Sequence, residues 1–127
     1  MFNVSWIWMD KCMKDQTPME FGIELQQDII NAFESIGVKA THTNGSGNKG
    51  AIGDVTQKYF GIEAKARNVK DFTIKADVWR KLKNEIPLHS PRKPLYVIRN
   101  AEKNTLVCME LSDFIEIFKR SLENEKN

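Results

Sequence analysis

Cysteine and histidine are scarce in this chain, with two of each among 127 residues. Cys12 and Cys108 are too few for a disulfide scaffold, and neither sits in the paired spacing of a zinc site. They are expected to be reduced thiols of a cytoplasmic protein. His42 and His89 stand far apart with no ligand spacing between them, so each is expected in the core or at the surface. No apolar run approaches the ~18 residues of a membrane helix, and residues 1–14 lack a basic segment followed by an apolar one. Neither membrane insertion nor secretion is therefore expected. Repeats, low-complexity tracts, a phosphate-binding glycine motif and a nucleophile elbow are missing as well. What is present is a hydrophobic fraction of 41%, too apolar for a disordered chain. The length supports one domain that buries roughly two-thirds of its unfolded surface.

The net charge of +2 is unevenly spread. Residues 1–37 carry two basic and six acidic side chains, residues 38–103 carry 14 and six, and residues 104–127 carry three and five. The middle of the chain is thus a candidate polyanion surface, because Lys and Arg that neutralise phosphates release counterions. The plainer reading of such a stretch is a solvated face.

Residues 1–16 read as an arm containing Trp6 and Trp8, followed by a single domain over residues 17–127. Thr17-Pro18-Met19-Glu20 is a helix start: Thr17 caps, Pro18 loses no needed N–H, and Glu20 stands where a capping box needs an acid. Phe21, Leu25, Ile29, Ala32, Phe33 and Ile36 follow at helical spacing, and Gly37 suits the position after the helix, so the spacing predicts a helix over 18–36. Residues 38–43 alternate as a strand. Three glycines within residues 44–50 predict a loop. Residues 52–56 and 59–67 read as two strands around a tight turn. Ile74, Val78, Leu82 and Ile86 recur every fourth residue and predict a helix over 71–85, stopped by Pro87. Strands over 95–99 and 105–111 come next. A last helix over 113–123 is capped by Ser112, with Phe114, Ile117 and Phe118 inward. The order α-β-β-β-α-β-β-α implies an α/β fold, a central mixed sheet flanked by helices.

The stretch with chemical content is Asp54, eight intervening residues, then Glu63-Ala64-Lys65. A hairpin turning between Lys58 and Tyr59 pairs residues whose numbers sum to 117 and sets Asp54 across from Glu63. Directly opposed residues share a face, with Cβ atoms about 5 Å apart. Two positions along, Lys65 shares that face, while Ile62, Ala64 and Ala66 point to a core. Two carboxylates so placed suit Mg²⁺, which keeps several waters and binds through one or two carboxylates plus substrate phosphate. An adjacent ammonium orients water and stabilises charge on an attacked phosphate. The structural alternative is a Glu–Lys surface pair on an edge strand.

Asp, a gap, then Glu-x-Lys on adjacent strands resembles the PD-(D/E)XK nuclease superfamily, with Gly53 where the superfamily usually has Pro before the Asp. Gly22-Ile23-Glu24-Leu25 in the first helix and Ile62-Glu63-Ala64-Lys65 in the strand are similar to the archaeal-type Holliday-junction resolvases, as is the order of elements over about residues 20–120. The resemblance implies a restriction-endonuclease-like fold. Glu24, Asp54 and Glu63 become metal ligands, joined by the backbone carbonyl of Ala64. Lys65 becomes the catalytic lysine, and Ser46 a loop serine near the scissile phosphate. It further implies an endonuclease that uses Mg²⁺, with Mn²⁺ as substitute, and cuts branched or double-stranded DNA by paired nicks as a homodimer, inside a bacterium, an archaeon or a virus-infected host. Lys49, Arg67, Lys70, Lys75, Arg80, Lys81 and Lys83 are candidate DNA-backbone contacts. Trp6 and Trp8 are candidates for stacking on unpaired bases, or for packing the arm onto the domain or a second subunit. Two alternatives stay open: another nuclease of the superfamily (restriction, nicking or repair), and a non-cleaving DNA-binding module.

Overall fold

Thr17 Oγ1 accepts the Glu20 N–H at 3.1 Å and Pro18 opens helix α1 (Pro18–Glu34), so the chain enters its first helix as the local code requires. Gly37, at φ +82°, turns the chain out of that helix, a left-handed conformation that costs glycine little. The computed structural model describes residues 16–43 and 54–125. The expectations for Trp6, Trp8, Cys12, the loop residues Ser46 and Lys49, and Gly53 lie outside the described residues.

After α1 come β1 (Ala40–His42), β2 (Val55–Gln57), β3 (Phe60–Ala66), helix α2 (Ala76–Glu85), β4 (Lys93–Arg99), β5 (Thr105–Cys108) and helix α3 (Leu111–Glu125). The five strands form one mixed sheet in the order β1-β2-β3-β4-β5, antiparallel except for the parallel β3–β4 pair. Parallel neighbours need a long crossover, and the segment containing α2 supplies it.

The sheet separates two apolar layers. Leu25, Ile29 and Ile30 of α1 pack on Ala40, Val55, Ile62, Leu95 and Val97, with Ala64 and Ala66 at the margin. On the other face Leu82 of α2 packs on Tyr96 and Ile98, flanked by Phe72, Val78 and Trp79. Alternate residues of β4 feed the two layers, as expected of an internal strand covered on both sides. The polar side of α1 is stitched to the sheet. Asp28 pairs with buried Arg99 at 2.7 Å, and Gln26 and Gln27 reach the His42 ring.

Three expectations need correction. Helix α2 begins at Ala76 rather than residue 71, with Lys75 at its cap making no side-chain bond; Ile74 is left outside the helix and exposed. Ser112 does not cap α3, which already begins at Leu111; the Phe114 N–H bonds the Glu110 carbonyl at 3.1 Å. Glu110 is itself held by Lys83 at 2.6 Å and by Trp79, which fixes where that helix starts. Finally, Phe114, Ile117 and Phe118 are exposed and no residue of α3 is buried. The charged side of α3 is the docked one, through Lys93 to Asp113 (3.4 Å) and Glu116. Among the described residues no helix is long and apolar enough to cross a membrane.

Candidate functional site

The β2–β3 hairpin pairs Val55 with Ile62 and Thr56 with Gly61, the register demanded by a turn between Lys58 and Tyr59. Gln57 closes that turn: its Oε1 accepts the Phe60 N–H at 3.1 Å and also the Tyr59 N–H. Its backbone carbonyl accepts Arg92 Nε at 2.7 Å. Strand pairing ends at Val55, and Asp54 continues the contact by other means. Its N–H donates to the Ile62 carbonyl at 2.6 Å, and its carboxylate Oδ2 accepts the Ala64 N–H at 2.9 Å. The side chain thus takes a ladder position that a backbone carbonyl would otherwise fill, and β3 fixes where the carboxylate lies.

Ile62 is core on the α1 side. Glu63 and Lys65 alternate to the opposite face, where α2 and Tyr96 lie. Lys65 Nζ stands 4.0 Å from Glu63 Oε1, with the Glu63 side chain 21% exposed. Burial pushes the Glu63 carboxyl up to about 7, and the charge of Asp54 adds to that push while Lys65 opposes it. Asp54 is raised as well, chiefly by burial; the Ala64 N–H and the Lys65 ammonium pull it back down. Two half-buried carboxyls, the charge of one raising the other, with an ammonium beside them, form an arrangement chemically able to take up a cation or a proton.

Glu85 and Tyr96, which the sequence did not single out, reach this cluster electrostatically, as does Lys81, expected only as a DNA-backbone contact. Glu85, near the end of α2, raises both Asp54 and Glu63, and Lys81, one turn earlier, lowers both. Tyr96, the parallel-ladder partner of Glu63, is buried, and its hydroxyl is pushed up by burial and then by Glu63. The one advance signal for Glu85 and Lys81 was their i,i+4 spacing on a helix that crosses the sheet. Tyr96 had none, because its neighbour is set by pairing between strands far apart in sequence.

Glu24 is not brought to the cluster. Its Oε2 accepts Gln16 Nε2 at 2.6 Å and its Oε1 accepts Lys103 Nζ at 3.1 Å, and its carboxyl is held below the usual range by the Gln16 bond and then by Lys103. The reason is the layer order: α1 covers the Ile62–Ala64 face, and Glu63 projects from the other. Among the described residues no group of three or more His, Cys, Asp or Glu side chains could hold a metal ion, so the expected three-acid set is reduced to Asp54 and Glu63. The Ala64 carbonyl belongs to the same stretch of β3, and Ser46 lies outside the described residues. Of the proposed DNA contacts, Arg67 lies over the Phe72 ring, Arg80 pairs with Asp77 and Lys83 with Glu110.

No family model matches the chain, and neither a curated protein nor a solved structure matches it.

Proposed function

We propose that this chain is a Mg²⁺-dependent DNA endonuclease of the PD-(D/E)XK kind with a restriction-endonuclease-like fold, and that its substrate is a four-way DNA junction nicked twice by a two-fold homodimer. One observation carries the reading. Asp54 and Glu63, from adjacent antiparallel segments, form a half-buried carboxylate pair with Lys65 on the Glu63 face. The helix, three-strand meander, crossover helix and parallel strand around that pair support it, since they match the order the resemblance implies. The junction substrate and the dimer follow from the resemblance, together with the need of two symmetric cuts for two copies of one site.

The donor chemistry fits a divalent cation at two points. Both carboxyls are penalised for ionising, and a bound cation relieves that penalty while accepting hard oxygen ligands. Asp54, Glu63 and the Ala64 carbonyl would hold it. When bound, such an ion polarises a phosphoryl oxygen and makes a nearby water more acidic. The chain's own groups do the rest. The Ala64 N–H keeps the Asp54 carboxylate in place. The Lys65 ammonium, partly exposed, is free to neutralise charge building on a phosphate and to orient an attacking water. Buried Tyr96 stands beside Glu63 on the inner side.

A cleavage assay on a mobile-core four-way junction, with Mg²⁺ and then with EDTA, tests the proposal. Paired nicks that vanish with EDTA are expected, at a rate well above that on the isolated linear arms; equal rates would assign the same site to a restriction, nicking or repair substrate. The seating of Glu24 on Lys103 favours one other reading, a DNA-binding module that does not cut. Junction binding with no cleavage under any divalent cation would establish that reading instead.

A further inference from the structure

Helix α3 is turned the wrong way round for a lone chain. At 100° per residue, Leu111, Phe114, Ile115, Phe118 and Leu122 form one continuous apolar stripe. Asp113, Glu116 and Arg120 lie almost diametrically opposite. The opposite side is the one held to the body, through Lys93 to Asp113 and Glu116, with Ile117 and Arg120 facing Tyr59 and Phe60 across a shallow cleft. The stripe is left outward: Leu111 is 74% exposed, Phe114 50%, Ile115 53%, Phe118 52% and Leu122 45%. Amphipathic surface helices bury their apolar side, because exposing it forfeits the main driving force of folding. Large apolar patches that stay exposed mark interaction sites.

We propose that this stripe is the surface on which a second copy of the chain docks, α3 against α3, antiparallel about a two-fold axis. Three features favour a copy over another partner. The stripe reads Leu, Phe-Ile, Phe, Leu along the helix, nearly the same in both directions. An antiparallel pair therefore sets Leu111 against Leu122 of the second copy and brings the ring-bearing centres together; such self-complementarity is what a two-fold interface requires. The charged residues between Leu111 and Leu122 lie off the stripe, Lys119 at its edge and Asp113, Glu116 and Arg120 opposite, and antiparallel helices oppose their dipoles favourably. The size also suits: five side chains about half exposed present roughly 500 Å² per copy, so a pair removes roughly 1,000 Å² from water, the lower bound of a specific interface.

The interface stands on α3 alone and does not depend on the nuclease reading. A dimer that never cuts would leave the interface and remove the nuclease; a monomer that cuts would remove the interface, and with it the two-fold pairing of cuts, and leave the nuclease site. The test is the mass of the full chain by light scattering at tens of micromolar, beside Phe118→Asp and the milder Phe114→Ser. The expected result is a mass near twice 14.7 kDa for the natural chain and near 14.7 kDa for both variants, with helix content and melting in dilute solution preserved. Should Phe118→Asp fail to fold, Phe114→Ser alone decides. A monomeric natural chain, or variants that stay dimeric, would overturn the proposal. A monomer whose stripe resists surface labelling would assign that cover to the chain's own residues 1–15 and overturn it equally.

Discussion

Replacing Glu63 with Gln should make the protein more stable at pH 8 and leave it nearly unchanged at pH 4. Glu63 moves from an ordinary 4.5 up to about 7 on folding, through burial first and the charge of Asp54 second. Its folded pKa is therefore raised. The associated stability is fully present below the unfolded value of 4.5 and is lost as pH climbs through 7. That displacement corresponds to about 3 kcal/mol between pH 4 and pH 8. Gln keeps the shape and cannot ionise, so the variant escapes the loss, and at pH 8 it should melt roughly 10 °C higher in EDTA. Thermal melts of both proteins across pH 4–8 measure the difference directly, and carboxylates common to the two cancel. Divalent cation should then raise the melting temperature of the natural chain at pH 8, do less at pH 5 where protons compete, and leave Glu63→Gln almost unmoved. Parallel melting curves for the two proteins over the whole range would refute the claim that Glu63 is a strained carboxylate, and with it the physical basis of the site.

Five other outcomes are expected. Asp54→Asn and Lys65→Ala should each abolish Mg²⁺-dependent cleavage while junction binding, followed by gel shift, persists; Glu24→Gln, paired as it is with Lys103, should keep the rate within about tenfold. Asp28→Asn strands the buried Arg99 guanidinium and should lower stability in urea unfolding by about 2 kcal/mol. Leu82→Ala empties a fully buried position under α2 and should lower it by about 3 kcal/mol, with activity falling only in step with folding. Lys93→Ala removes the ammonium that holds Asp113 and Glu116, so amide exchange over residues 111–125 should accelerate while α1 stays protected.

How far the residues themselves revealed the site depended on sequence separation. The Asp54–Glu63 relation was legible because a two-residue turn transmits register over a few positions, and the alternation through Ile62, Glu63, Ala64 and Lys65 follows from the pleat. The role of Glu24 was not legible in this way. Helical spacing places Glu24 beside the Phe21–Leu25–Ile29 stripe but does not say which sheet face that stripe covers. With α1 on the Ile62 face, Glu24 meets Lys103 and Gln16 instead of Glu63. Likewise Phe114 and Phe118 display a clear helical period, and period alone does not state whether the covering surface belongs to the same chain.

The linear order of residues determined the elements whose causes are local: the Thr17–Pro18 start of α1, the glycine exit at Gly37, the β2–β3 register, and the shared face of Glu63 and Lys65. Only the folded arrangement decided the rest. Parallel pairing of β3 with β4 set Tyr96 beside Glu63, the crossover brought Glu85 and Lys81 over the carboxylates, and the layer order sent Glu24 elsewhere. Caps, turns and pleat alternation act over a few bonds. Choices among sheet faces and distant strands follow from burying apolar surface across the whole chain, and no local pattern carries that information.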